Sequence, residues 1–328
     1  MKNRNFHKVR QIRTKLSKYL LFVLLLAAIY SCRNPSTVKE VRFGICTDVH
    51  KDIMHDADSR LLTFVNEMNS KQVDFIIQLG DFCRPYDYNN TFMAIWNSFN
   101  GPRYHVLGNH DMDGGFTERQ TMDYYGMKSP YYSFDLNGFH FIVLDGNEKS
   151  PSPQEGYSRY IGETQQKWLK EDLRNTVLQC VLFSHQSLED NEGVENRKEI
   201  RAILEEKNKR AGKRKVLACF NGHSHLDAVV KINGIWYVEV NSMSYFWVGD
   251  KAKHMSYGEE IDKEYPWIKY TCPYKDPLFA IVTIESDGTI RIKGRNTEWV
   301  GPSPAEAGYH NEFYMDRIKT TISDRVLK

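Results

Sequence analysis

The 328-residue chain has no apolar run long enough for a membrane-spanning helix, which needs roughly 20 residues; the candidate Tyr19–Tyr30, "YLLFVLLLAAIY", stops at twelve. There is no CxxC pair among the six cysteines, which argues against a thiolate zinc site or a thioredoxin-like redox site. Internal repeats and low-complexity tracts are also missing, so solenoid and disordered classes drop out. The body lacks a basic surface as well. The formal charge is +2, but Lys2, Arg4, Lys8, Arg10, Arg13, Lys15 and Lys18 lie within residues 1–31 with no acid among them, and removing those seven leaves −5. A mildly acidic body has no electrostatic footprint for a nucleic-acid polymer. What is present, 41% hydrophobic and 26% charged residues, suits a soluble globular protein with a sizeable core.

The basic start followed by a twelve-residue apolar stretch has the layout of a secretory signal. Its end, "IYSC", resembles the lipobox of bacterial lipoproteins, although Tyr30 is bulkier than that pattern prefers. The expectation is a signal peptide over residues 1–32, lipidation at Cys32 and a linker over 33–40. That implies an exported protein held to a membrane of the cell envelope by its lipid. No acidic run follows Cys32, which favours the periplasmic side.

Five cysteines remain beyond Cys32. Cys46, Cys180 and Cys219 sit in apolar runs and read as buried hydrophobes, whereas Cys83 and Cys272 lie in loop-like sequence and are a candidate disulfide pair. Apolar strand-like runs alternate with amphipathic segments at 58–70, 91–99, 117–125, 163–175 and 196–209, the pattern of an α/β protein. Late in the chain "LFAIVTIESDGTIRIKG" reads as a hairpin turning at Asp287-Gly288. A single domain is expected over 41–328, with strands at about 278–294 belonging to it.

The polar ends of the strand-like runs carry the chemistry, as expected of α/β sheets that bind ligands at their strand termini. One run ends "TDVH" (Asp48, His50), the next "LGD" (Asp81), then "LGNHD" (Asn109, His110, Asp111), "FSH" (His185) and "NGHSH" (His223, His225). Five of the eleven histidines occupy these ends. Each motif alone is commonly just a turn; their joint, ordered recurrence points to a shared site. A bound divalent ion lowers the pKa of water to about 7, and two ions clamp the oxygens of a phosphoryl group in transfer. Imidazole, carboxylate and amide donors suit Mn, Fe, Zn or Ni.

The ordered set "DVH", "GD", "GNHD", "SH", "GHSH" resembles the calcineurin-like metallophosphoesterase superfamily over about residues 41–241. The resemblance implies an α/β fold in which a two-sheet β-sandwich is flanked by helices in four layers, α/β/β/α. It implies two divalent metal ions: Asp48, His50 and His225 on one, Asn109, His185 and His223 on the other, with Asp81 bridging. It places His110 beside the scissile phosphate and Asp111 as its orienting partner. Arg84 stands where purple acid phosphatases have a tyrosine ligand, and His50 where they have glycine, which disfavours a charge-transfer iron site. "GDFCRPYD" likewise departs from the protein-phosphatase extension of that motif.

Arg84 is a candidate for binding substrate phosphate. Tyr245 and Trp247, in "NSMSYFWVGD", are candidates for a substrate pocket, with packing expected for two of the three aromatics Tyr245, Phe246 and Trp247. The expected activity is hydrolysis of small phosphoric esters, as a phosphatase or phosphodiesterase. The rival is a catalytically silent binding or scaffold module of the same fold.

Overall fold

The computed structural model describes residues 39–152 and 155–328. The signal-like segment and Cys32 lie outside the described residues. In chain order the strands are β1 (Val41–Cys46), β2 (Phe75–Gln78), β3 (Arg103–His105), β4 (Tyr132–Leu136), β5 (Phe139–Val143), β6 (Gln179–Phe183) and β7 (Val216–Asn221). They continue as β8 (Ala228–Ile232), β9 (Ile235–Glu239), β10 (Tyr245–Trp247), β11 (Thr271–Pro273), β12 (Ala280–Ile284), β13 (Ile290–Lys293) and β14 (Arg325–Leu327). The helices are α1 (Ala57–Lys71), α2 (Asn90–Asn97), α3 (Glu118–Tyr125), α4 (Glu163–Asn175), α5 (Arg197–Ala211) and the short α6 (Glu259–Glu264). The first five coincide with the expected amphipathic segments. The strands β4, β8, β10, β11 and β14 are not among the expected runs, although Asn137-Gly138 and Asn233-Gly234 mark the hairpins that join β4 to β5 and β8 to β9.

Two mixed six-stranded sheets result, ordered β14-β13-β12-β1-β2-β3 and β4-β5-β6-β7-β9-β8. Strands β1, β2 and β3 run parallel, as do β5, β6, β7 and β9, so their carboxyl ends gather on one side of each sheet. The inner faces meet in a phenylalanine-rich core. Phe43 of β1 stacks on Phe75 of β2 at 4.7 Å and meets Phe141, Phe183 and Phe220 of the other sheet edge-on at 5.7–6.1 Å. Such ring pairs add directional attraction to burial.

The outer face of the first sheet packs on α1, α2 and α3 through Leu61, Phe64, Met68, Phe92, Trp96, Met122 and Tyr125. That of the second packs on α4 and α5 through Leu169, Leu173, Ile200 and Leu204. These are four layers, α/β/β/α. The late hairpin is integral to the first sheet, because β12 pairs antiparallel with β1 along five residues.

The disulfide expectation is not met. Cys83 and Cys272 are both buried and free, Cys83 packing beneath the first sheet's helices and Cys272 in a separate cluster with Phe246 and Val248.

Candidate metal centre

The carboxyl ends of β1 and β2 in one sheet and of β6 and β7 in the other open onto one cleft of about 650 Å³. Leaving the strands there requires sharp reversals. Asp48, His50, Asp81, His223 and His225 all adopt φ between 50 and 69°, the left-handed region that L-residues seldom occupy. The other described non-glycine residues with positive φ, Gln72, Asn137 and Asn233, lie at a helix end and two hairpin turns. Backbone strain concentrated at one place marks a constraint other than folding. Close approach adds to it: a Cβ at Gly222 would overlap Thr47 Oγ1 and Asp48, so glycine alone lets the β7 loop reach the β1 loop.

Two triads form. In the first, Asp48 Oδ1 lies 3.2 Å from His225 Nε2 and 3.8 Å from His50 Nε2, and the two imidazole nitrogens stand 3.4 Å apart. In the second, His185 Nε2 lies 3.2 Å from Asp81 Oδ2 and 3.2 Å from His223 Nδ1. Asn109 Oδ1 joins it at 3.1 Å from His185 Nε2. Asp81 Oδ2 is also 3.8 Å from His50 Nε2, which sets this carboxylate between the triads.

The donor set fits cations. His225 Nδ1 donates to the Tyr245 carbonyl at 2.8 Å and His185 Nδ1 to that of Leu79 at 2.8 Å, so each ring turns its Nε2 inward. Burial pushes His50 and His223 down to about 3, leaving both rings neutral at physiological pH. Asp48 Oδ1 is buried without a hydrogen-bond partner. Acceptor atoms thus crowd one another in a dry site, an arrangement that is costly unless a positive charge, a proton or a metal ion, sits among them. Donor atoms held at roughly 2.0–2.2 Å by one tetrahedral ion stand about 3.4 Å apart, matching these separations.

Around Asp81 the charges are coupled. Burial disfavours the His185 cation, but the adjacent Asp81 carboxylate outweighs burial and raises His185 to about 9. Burial likewise opposes ionisation of Asp81, yet the surrounding imidazoles hold its carboxyl well below the usual range.

His110 lines the same cleft, its backbone N–H donating to Asp81 Oδ1 at 2.8 Å. Its expected partner is corrected here. Asp111 points away, accepting the backbone N–H groups of Phe82 and Gly108 at 2.7 and 2.8 Å, and so ties the β2 loop to the β3 loop. Asp113 takes the other role, with Oδ2 2.8 Å from His110 Nδ1. Asn109–Met112 is one 3₁₀ turn, so the next residue turns off the His110 face while the residue three along returns to it. Burial opposes the His110 cation, but Asp81 and Asp113 outweigh it and raise its pKa.

Tyr157, for which the sequence holds no signal, donates to Asp113 Oδ1 at 2.9 Å and lies 3.1 Å from His110 Nδ1. Arg84 is in the cleft wall with Nη2 3.2 Å from Asp113 Oδ2. Tyr245 is buried and stacks on His50 at 5.0 Å; Phe246 is buried on the other side of the strand; Trp247 remains 40% exposed in the cleft.

Residues 41–227 match the family model described as calcineurin-like phosphoesterase. The chain belongs to this family. As a calcineurin-like phosphoesterase it shares its fold with a dimetal phosphatase from Danio rerio, at 16% identity and a TM-score of 0.52, covering 80% of this chain and 99% of that one. A second similar structure is GAP50, the anchor in the inner membrane complex of Plasmodium, at 15% identity and a TM-score of 0.49, covering 81% and 90%. No curated protein matches this phosphoesterase by sequence. The two triads and the family together support binding of two divalent ions.

Proposed function

We propose that the chain is a two-metal hydrolase of small phosphoric esters, acting in the cell envelope. The observation that carries the reading is the convergence of both sheets on one pocket: neither triad is complete without side chains from each. Asp48, His50 and His225 would hold one ion, and Asn109, His185 and His223 the other. Asp81, placed between them, offers two oxygens for a bridge. Two ions so held would supply a nucleophilic water at neutral pH and positive charge for the phosphoryl oxygens.

The protein's own groups do the rest. The neutral amide Asn109 in the ligand set leaves a net positive site for an anionic ester. His110, with Nδ1 held by Asp113, keeps Nε2 for protonating the departing alkoxide, and the Asp113 carboxylate favours the protonated ring this needs. Tyr157 and Arg84 fix Asp113, so the His110 ring is held in one orientation.

The test is release of nitrophenol from phosphate monoester and diester reporters. Activity is expected to vanish on chelation, return with Mn and be lost in Asp81→Asn. Activity that survives both exhaustive chelation and Asp81→Asn contradicts the mechanism. Two bound ions without turnover on a broad ester panel would point to a silent scaffold instead. The envelope location rests on residues 1–32; loss of palmitate-analogue labelling in Cys32→Ala is expected, and unchanged labelling would remove the lipid anchor from the account.

A further inference from the structure

Three large side chains with apolar surface stand exposed at one place, the mouth of the metal cleft: Tyr157, Trp247 and Trp267, at 45, 40 and 52%. Two belong to a ladder of rings that climbs from the metal ligands. Tyr245 stacks on His50 at 5.0 Å, Trp247 follows at 6.4 Å, Tyr270 stacks on Trp247 at 5.7 Å and 17°, and Trp267 meets Tyr270 at 5.5 Å. Only two ring spacings separate Trp247 from His50.

The sequence explains the placement. Alternation along β10 sends Tyr245 and Trp247 to the cleft and Phe246 to the opposite face, where it is buried against Tyr309 at 5.2 Å. The β10–β11 ribbon belongs to neither large sheet, and it fixes these rings. Trp247 pairs with Thr271, the Val248 N–H donates to the Tyr270 carbonyl at 2.8 Å, and the Tyr270 N–H donates to that of Trp267 at 3.1 Å. Core packing accounts for Tyr245 and Phe246. It does not account for two indoles, both packed on Tyr270 and half-open to water inside a cleft, since apolar surface gathered in one place marks an interaction site.

We propose that Trp247 and Trp267 form a stacking platform that selects phosphate esters bearing a flat ring, an aryl group or a nucleobase. This rests on the hydrolase reading and names its substrate class. The phosphate would sit at the ligands beside His50 and the ring would lie on the indoles, with the ladder preordering the surface so that little rotamer freedom is lost on binding. Trp247 has one face occupied by Tyr270; the exposed remainder looks into the cleft.

Two measurements test this on the full-length protein with Mn supplied. The first is calorimetric affinity for adenosine monophosphate and for glycerol phosphate. The second is kcat/KM for phenyl, nucleoside and simple alkyl phosphates. Wild type is expected to favour ring-bearing compounds in both, and Trp247→Ala to lose roughly tenfold of that preference, as alanine substitution at base-stacking aromatics does. Trp247→Phe should keep most of it, and Trp267→Ala should lose a smaller part. Phenyl and nucleoside phosphates favoured alike identify the bare ring as the recognised group; a nucleoside preference alone identifies the base.

Equal affinity for ring and alkyl phosphates in wild type would overturn the proposal, as would equal losses for both in Trp247→Ala. So would binding of anionic phospholipid vesicles that depends on Trp247 and Trp267, which would make the indoles a membrane contact. If no ester turns over, the hydrolase reading fails while the affinity comparison still decides for or against the platform.

Discussion

His140 and His185 belong to neighbouring parallel strands, one at the start of β5 and the other just past the end of β6, and their surroundings are opposite. Asp135 accepts from His140 Nδ1 at 2.5 Å and Asp172 from Nε2 at 2.7 Å, with Ser133 donating to Asp172 at 2.8 Å. Every polar atom there has a partner of the right kind. His185 donates from Nδ1 to Leu79, and its Nε2 faces Asn109, Asp81 and His223 within 3.2 Å. His140 is therefore complete within the protein, whereas His185 keeps one nitrogen crowded by acceptors that a metal ion would satisfy. Burial does not separate a structural histidine from a ligand, since both are buried; the number of acceptors crowded on one ring nitrogen does, one at His140 Nε2 and three at His185 Nε2.

The strongest break of this contrast is His185→Ala. It should lower activity at least about a hundredfold, the scale of losing one charge-stabilising contact in an active site, and reduce metal content by up to one ion per chain by plasma mass spectrometry. His140→Ala should instead leave metal content at the wild-type level and cost about 1–3 kcal/mol of stability in urea unfolding, because two carboxylates lose their donor. Reversal of these two outcomes would erase the distinction.

A finer test separates neighbours in one turn. Asp113→Asn should reduce kcat on alkyl phosphates by about 10–100-fold, the cost of losing a group that orients a functional imidazole. Asp111→Asn should be seen mainly as a lower urea midpoint. Burial and the Asp81 charge push Asp111 up to about 7, and its hydrogen bonds hold two loops together.

The smallest effect is in pH. Burial opposes the His140 cation, but hydrogen bonds to Asp172 and Asp135 outweigh it, so the folded pKa lies above the ordinary 6.5. The stability this contributes is fully present below 6.5 and fades as pH rises through the folded value. The stability gap between wild type and His140→Ala should therefore narrow above pH 6.5. A gap that widens would contradict the assignment.

The ligand motifs were legible because each follows an apolar run whose strand character is plain, and parallel strands put their ends together. The left-handed backbone at Asp48, His50, Asp81, His223 and His225 was not legible, since Asp and His are enriched at positive φ yet adopt it in only a small share of their occurrences. Asp113 was within reach: "HDMD" offers two carboxylates, and the choice depends on whether the turn is 3₁₀. Tyr157 was out of reach, because it meets Asp113 from 44 positions away through a loop with no periodicity. The ring ladder was half legible. "YFW" exposed the aromatic cluster, but strands of three residues are too short to reveal which rings share a face, and Tyr270 and Trp267 join only through the β10–β11 pairing.

Anomalous diffraction from crystals grown with Mn tests the central claim most directly. Two peaks per chain are expected, one enclosed by Asp48, His50 and His225 and one by Asn109, His185 and His223, with the Asp81 carboxylate between them. A single peak, or peaks outside these groups, would contradict a two-metal centre built jointly by the two sheets.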